Sequence, residues 1–271
     1  MNAPVPGAGP SALTAPKGAA LGFFAGVRGL FGGIGFVVST PAVWGWAMIP
    51  FVVATAIFGG LGALAIWGGG AVSDHLLGGD GAGTWATVGA WALRVVFWLV
   101  GLVVAFVLAL SLAQPLSGFA LEAIARKQEL KLGGRTWPDQ PLLEGALRSL
   151  RVTLTALALG LPVLALLALV TFLVPPASIV TVPLKFVVTG LMAAYDLLDY
   201  PLSLRGEGVR GRLDFMQRNF WAVLGFGVSV AAVLLVPGAG LFLLPFGVAG
   251  ATRMVVERDR TVARPLAALA G

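Results

Sequence analysis

The sequence predicts an all-α integral membrane protein with two long transmembrane helices, two apolar helical hairpins that partly penetrate the bilayer, and a surface amphipathic helix. Three observations predict this fold class. Hydrophobic residues make up 58% of the 271 residues and charged residues only 11%, which is too few charges to solvate a globule of this size. Long apolar runs recur along the chain, and most charges lie between them.

The two long transmembrane helices are expected at residues 42–67 and 85–112. Each run exceeds the roughly 20 apolar residues that cross a hydrocarbon core of about 30 Å. Trp44, Trp46 and Trp67 stand near the ends of the first run, as in the aromatic belts of membrane proteins. Both runs are therefore predicted to cross the bilayer completely.

Two later segments predict the hairpins. Residues 142–198 turn at Pro175-Pro176, and residues 220–256 turn at residues 237–240. Each arm of the second hairpin has about 17 residues, or about 25 Å of helix, against a core of about 30 Å. We therefore expect the second hairpin to dip into the bilayer from one face, whereas the depth of the first stays open. Small residues at Gly225, Gly227, Gly247 and Gly250 are expected to let the two arms of the second hairpin approach closely.

The remaining segments complete the organisation. Residues 1–19 are rich in Pro, Gly and Ala and predict a disordered tail. Residues 20–258 are expected to form a single membrane domain, and residues 259–271 a short cytoplasmic tail. Within the domain, residues 22–39 are expected along the interface as an irregular amphipathic helix, and residues 115–132 on the cytoplasmic surface.

The net charge of +6 is a topology signal, because the basic residues are unevenly placed. Residues 68–83, between the first two runs, contain no Lys or Arg. The loop between the second and third runs contains Arg126, Lys127, Lys131, Arg135, Arg148 and Arg151. Under the positive-inside rule both termini and this loop are cytoplasmic. The expected partner is a lipid bilayer and not nucleic acid.

Several kinds of site are not expected. The chain has no cysteine and one histidine, His75, so disulfides, thiol nucleophiles and thiolate metal sites are absent. Neither a metal nor a cofactor is predicted. The sequence also lacks a nucleotide-binding loop and a serine-histidine set, so an enzyme is not expected; Asp196, Asp199 and Glu122 leave a membrane-bound enzyme as a third, minor alternative.

Five short motifs occur in a characteristic order. They are Gln114-Pro115-Leu116-Ser117-Gly118, Leu198-Asp199-Tyr200-Pro201, Leu224-Gly225-Phe226-Gly227, Val236-Pro237 and Gly250-Ala251-Thr252. With these motifs the chain resembles the etoposide-induced protein 2.4 family, whose best-known bacterial branch is the CysZ sulfate permease. The resemblance implies an inner-membrane permease or channel that takes sulfate or a related small anion and assembles as a homo-oligomer.

The resemblance also implies where the anion binds. Permeases of this type resemble Pro-Gly-x-Arg-Arg before the first span, where helix-start amides and the arginines hold the dianion. The corresponding segment here is Pro41-Ala42-Val43-Trp44-Gly45. Pro41, Ala42 and Val43 are therefore candidate substrate-binding residues, and Trp44 and Gly45 replace the two arginines. This replacement favours a second hypothesis, a non-transporting membrane scaffold or lipid-handling protein of the same fold.

Three cations are candidates for the missing charge. Arg28 precedes the first run. Arg94 lies within the second run and either contributes to a functional site or snorkels to the headgroups along Trp91. Lys185 lies within the first hairpin, so it should face water, a partner or a headgroup.

Three acids are candidates for ion coupling or for structural ion pairs. Asp196 and Asp199 are spaced i to i+3 near the end of the first hairpin. A coupling ion or proton is one interpretation of this pair. The other is structural: the pair caps a neighbouring helix or forms an ion pair with Arg205 or Arg253. Glu122 is expected on the solvated face of the surface helix.

Overall fold

The computed structural model describes residues 20–77, 83–137, 142–236 and 239–269, and the regular structure in these ranges is α-helical. The helices, numbered in chain order, are α1 (Phe23–Ser39), α2 (Trp44–Leu77), α3 (Thr84–Leu116), α4 (Gly118–Lys131), α5 (Leu142–Leu173), α6 (Ser178–Leu204), α7 (Val209–Arg218), α8 (Phe220–Leu234) and α9 (Ala239–Leu269). Short 3-10 helices, Pro41–Val43 and Pro175–Ala177, precede α2 and α6. The all-α fold class is confirmed, whereas the predicted tail at residues 1–19 lies outside the described ranges.

Four described helical segments are long and apolar enough to cross a membrane. They are Pro41–Ser73, Thr87–Leu116, Leu150–Leu173 and Pro175–Leu204. The first two confirm the predicted long spans. The other two form the first hairpin, and at 24 and 30 residues each arm exceeds the roughly 20 residues that a crossing needs. In the second hairpin, α8 has only 15 residues, as predicted for a short arm, whereas α9 continues for 31 residues. Residues 237 and 238 of the predicted turn lie outside the described ranges.

The chain divides into two compact units. One consists of residues up to Ala47 and from Gly118 onward, and the other of Met48–Ser117. The second unit is an antiparallel pair made by α2 and α3. Its register is fixed by Phe58 against Phe106, with ring centroids 6.1 Å apart, and by Trp98, whose Nε1 donates to the Ile66 carbonyl at 2.9 Å.

The core of the first unit is built around α1. Leu30 is fully buried, and Phe36 and Val37 are almost so. α1 packs against both α8 and α9 because glycines remove the side-chain layer between them: Gly26 faces the Ala222 backbone, and Gly33 faces the Gly250 backbone. α1 is therefore a core helix on this face, while its opposite face is exposed, as the amphipathic pattern predicts.

The glycines of the second hairpin make the expected close approaches, but with different helices. Gly225 faces Phe23 and Gly250 faces Gly29, both on α1. Gly227 faces Gly190 and Gly247 faces Leu197, both on α6. The prediction that these residues let the two arms approach each other is wrong for Gly225, Gly227 and Gly247, because small residues mark a close contact without specifying its partner. It holds for Gly250, where an added Cβ would also lie 3.1 Å from Phe226 Cε2 on α8.

The amphipathic helix α4 has one buried face. Leu121 and Ile124 are fully buried, and α4 packs against α9. It ends at Lys131, and Gly133, two residues later, has a φ of +68°, the left-handed conformation that favours glycine after a helix end. The chain from residue 259 to 269 continues α9 as helix.

Candidate anion-binding site

The amino end of α2 is open to an anion. The 3-10 helix Pro41–Val43 leads directly into α2, and its N-cap residue, Thr40, makes no side-chain capping bond. Val43 N donates to Thr40 O at 3.0 Å, and within the described residues the Ala42 amide has no backbone partner. Pro41 and Ala42 are exposed and Val43 is buried. Uncapped amides at a helix start carry the positive end of the helix dipole, which attracts anions.

A lysine that the sequence analysis did not select lies at this end. Lys131, the last residue of α4, donates from Nζ to Thr40 Oγ1 at 2.9 Å. The same Nζ lies 5.1 Å from the centroid of the Phe36 ring, a distance typical of a cation–π contact. Among the described residues Lys131 has no carboxylate partner. Its charge is therefore available beside Pro41.

Arg28 is not brought to this end. It is exposed on α1, where its Nε donates to the Phe24 carbonyl of the same helix at 3.2 Å. Ser39, at the end of α1, lies eleven positions after Arg28, which corresponds to about 16 Å of helix rise. The candidate cation is thus Lys131 in place of Arg28.

Arg94 bonds within the antiparallel pair α2–α3. Its Nε donates to Ser73 Oγ at 3.0 Å, and its guanidinium lies 5.8 Å from the centroid of the Trp91 ring. The predicted contact with Trp91 is therefore present. Ser73 lies near the carboxyl end of α2, whereas Pro41 precedes its amino end. The contacts of Arg94 are those of a residue that joins two helices.

Lys185 finds a partner inside the protein. Its Nζ donates to Thr171 Oγ1 at 2.9 Å, and Thr171 also shares a hydrogen bond of 2.7 Å with Thr181. These three residues join α5 to α6 close to the 3-10 helix at the hairpin turn. This lysine was expected to face water, a partner or a headgroup. In the structure its partner is the Thr171 hydroxyl.

Of the two acids near the end of α6, Asp199 forms an ion pair and Asp196 has a buried oxygen without a partner in the described ranges. Asp199 is buried and accepts from Arg212 Nη2 at 2.5 Å, and Ser203 Oγ donates to the same carboxylate at 2.7 Å. The expected partners of Asp199, Arg205 or Arg253, were therefore wrong, because the chain reverses at Gly206 (φ +73°) and brings α7 back onto α6. Asp196 Oδ1 is buried and has no hydrogen-bond partner in the described ranges.

Two further carboxylates of α4 are buried. Glu122 is not on a solvated face: it is 8% exposed and lies 3.6 Å from Arg126 Nη2, so it forms a structural ion pair. Glu129 accepts two bonds from Arg205, at 3.1 and 3.0 Å. No pattern in the sequence joins Glu129 to Arg205, which lies 76 residues later.

The sequence carried only a weak signal for Lys131. It is the last basic residue before Leu132 and Gly133, and a lysine in a final helical turn is commonly explained by the helix dipole. Its contact with Thr40 spans 91 residues and depends on how α4 packs.

Residues 29–245 match the family described as "Sulfate transporter CysZ/Etoposide-induced protein 2.4". The chain belongs to this family. The resemblance carried by the short motifs is therefore confirmed, and the family together with the four apolar segments makes the chain a membrane protein.

Three relatives named "Sulfate transporter CysZ" illustrate the similarity. The protein of Pectobacterium atrosepticum is 30% identical over 158 residues, which cover 57% of this chain and 56% of the relative. The protein of Pseudomonas paraeruginosa is 30% identical over 176 residues, 62% of this chain and 69% of the relative. The protein of Pseudomonas fluorescens Pf0-1 is 32% identical over 171 residues, which cover 60% of this chain and 65% of the relative. The chain thus spans between about half and two thirds of the length of the relatives it matches.

Proposed function

We propose that this protein is a bacterial inner-membrane permease or channel for sulfate or a related small anion. The relatives it matches are bacterial proteins named as sulfate transporters, and four of its helical segments are long enough to cross a membrane. The observation that carries the proposal is the position of Lys131 Nζ, 2.9 Å from Thr40 Oγ1, at the uncapped start of Pro41–Val43.

The chemistry of this end suits a dianion. The helix start contributes a partial positive charge and the Ala42 amide as a donor, since the Val43 and Trp44 amides donate to Thr40 O and Pro41 O. Lys131 contributes a full charge on a flexible stem. Lysine binds phosphate-like and sulfate-like groups as a point charge, without the two-point geometry of arginine. One lysine in place of two arginines gives weaker binding, which is compatible with a site from which a permeant must also leave.

Uptake of radiolabelled sulfate into proteoliposomes tests the proposal. We expect uptake above that of empty vesicles, and Lys131→Ala should raise KM for sulfate about tenfold, the effect of one charge-assisted hydrogen bond. Lys127→Ala is the matched control, since Lys127 lies one turn earlier on the same helix. Absence of uptake by folded wild-type protein would overturn the permease, and equal KM values for the two variants would overturn the site.

A scaffold or lipid-handling role is the second candidate, because both arginine positions have lost their charge. Trp44 uses its indole Nε1 to bond the Val37 carbonyl at 2.8 Å, and Gly45 has no side chain to offer. Under this alternative, the folded protein takes up no sulfate and binds none at the start of α2. The transport names of the relatives favour the permease over both this role and an enzyme.

The proposed orientation places both termini and α4 in the cytoplasm, in agreement with the distribution of basic residues. The proposed assembly is a homo-oligomer. Reporter fusions at each terminus test the orientation: alkaline phosphatase activity at either end would contradict it. Cross-linking in native membranes, followed by mass measurement, tests the assembly.

A further inference from the structure

Arg258, on the polar half of α9, is a buried cation whose guanidinium has one buried nitrogen without an acceptor among the described residues. The residue is 6% exposed, and its buried Nη1 has no hydrogen-bond partner within the described ranges. A guanidinium stays charged at any physiological pH and carries five donors. Because buried charges in proteins are almost always paired, this arginine needs an anion that the described chain does not provide.

The register of α1 and α9 locates the guanidinium. Gly33 packs on Gly250, and Gly29, one turn earlier on α1, packs on Met254, one turn later on α9. The two helices are therefore antiparallel. One more turn in the same register places Arg258 beside Ala25, in the first turn of α1.

Two helix amino ends meet at this point. Leu21 N donates to Asn219 Oδ1 at 3.4 Å, which joins the residue before the N-cap of α1 to the N-cap of α8. Neither N-cap, Gly22 nor Asn219, makes a side-chain capping bond to its own helix. The positive ends of the α1 and α8 dipoles thus lie near the buried guanidinium, together with the carboxyl end of α7, where Asn219 N donates to Phe215 O at 3.0 Å.

No carboxylate in the described ranges forms an ion pair with Arg258. Burial lowers the pKa of its guanidinium, Asp259 raises this pKa, and the Arg218 charge lowers it by less than Asp259 raises it. Asp259 itself pairs with Arg205 at 2.7 Å, and Asp214 pairs with Arg218 at 2.7 Å. The carboxylate that acts on Arg258, that of Asp259, is therefore shared with Arg205.

We propose that Arg258 and the amino ends of α1 and α8 bind a tetrahedral oxyanion of the phosphate class. The surroundings favour the phosphate of an anionic phospholipid: Phe24 and Trp221, in the first turns of α1 and α8, are 72% and 62% exposed. Exposed aromatic residues are typical of the headgroup level of a bilayer, and basic pockets between membrane helices bind anionic headgroups. This site is separate from the start of α2, so the inference does not depend on sulfate transport.

Thermal unfolding of delipidated protein, reconstituted in phosphatidylcholine nanodiscs, tests the proposal. Without an oxyanion, Arg258→Met should raise Tm by a few degrees, because it removes an unpaired buried charge. Addition of phosphatidylglycerol should raise Tm of the wild type above Tm of Arg258→Met. Arg253→Met is the matched control, since Arg253 is an exposed arginine five residues earlier on the same helix, and it should respond to phosphatidylglycerol as the wild type does.

A second arm replaces phosphatidylglycerol with millimolar inorganic phosphate or sulfate. Stabilisation that depends on Arg258 and occurs only with phosphatidylglycerol assigns the site to a lipid headgroup. Stabilisation that depends on Arg258 and occurs with the free ions assigns it to a soluble oxyanion. The proposal is overturned if Arg258→Met lowers Tm or fails to fold in phosphatidylcholine, or if wild type and variant respond equally to every addition.

Discussion

Arg205 holds Glu129 through two parallel hydrogen bonds, from Nη1 to Oε2 at 3.1 Å and from Nη2 to Oε1 at 3.0 Å. The same guanidinium donates to Asp259 at 2.7 Å and lies 5.6 Å from the centroid of the Trp137 ring. One side chain at the end of α6 therefore binds α4 and α9 together. Of its two carboxylate partners, Glu129 is buried and Asp259 is exposed.

Arg205→Ala should destabilise the fold strongly. The Glu129 side chain is 2% exposed, so the substitution leaves a buried carboxylate without its cation, a change that lowers the free energy of unfolding by about 3–5 kcal/mol. Asp259→Asn is the control: the Asp259 side chain is 56% exposed, and the expected loss is at most about 1 kcal/mol. Denaturation in detergent, followed by tryptophan fluorescence, measures both. Equal losses would contradict the interpretation.

Asp199 and Arg212 should be energetically coupled. Both side chains are almost fully buried, and removing either one leaves the other charge unpaired, so Asp199→Leu and Arg212→Leu should each cost about 3–5 kcal/mol. The double variant should recover part of this loss, because no unpaired charge remains. A double-mutant cycle on unfolding free energies measures the coupling, and strictly additive losses would argue against the pair.

Gly26→Ala should destabilise the first unit, because an added Cβ would collide with the backbone of Ala222 and Phe226. Gly35→Ala is the matched control on the same helix, where an added Cβ meets nothing within 4 Å. The control should be neutral or stabilising by up to about 1 kcal/mol, since alanine favours helix over glycine. Tm values in detergent compare the two, and similar values would show that α1 is not closely packed against α8.

Gly45→Arg should lower KM for sulfate in proteoliposomes, because it returns a cation to the amino end of α2. The position is exposed, and nothing lies within 4 Å of an added Cβ, so the side chain fits. The expected gain is severalfold, as for a partly exposed charge at a helix terminus. Gly45→Gln adds a side chain without charge and should leave KM unchanged. A gain with glutamine equal to that with arginine would exclude the electrostatic explanation.

The long helices could be predicted from the sequence because hydrocarbon imposes a length on apolar runs. The spans confirmed at Pro41–Ser73 and Thr87–Leu116 correspond to runs that are visible without any tertiary information. The location of residues 22–39, at the membrane interface or in the protein core, could not be predicted in the same way. A glycine-rich amphipathic segment is compatible with an interface or with a core, and only the partners of Gly26 and Gly33 decide between them.

The candidate site was half predictable. Pro41, Ala42 and Val43 follow from a local motif, and the structure places them at an uncapped helix start. The charge beside them was not predictable, because Lys131 reaches Thr40 across 91 residues. The same limit applied to Asp199, whose partner Arg212 depends on the reversal of the chain at Gly206. In each case the residue type indicated a polar or charged contact, but the sequence did not show which residue would be the partner.

The glycine contacts of α1 have a consequence for movement. Where backbone lies directly on backbone, as at Gly33 and Gly250, no side chain can change rotamer to allow one helix to slide past another. α1, α8 and α9 are therefore suited to move as one body. A rearrangement that the proposed transport requires should occur at surfaces that retain a side-chain layer, such as the contact of α5 with α6.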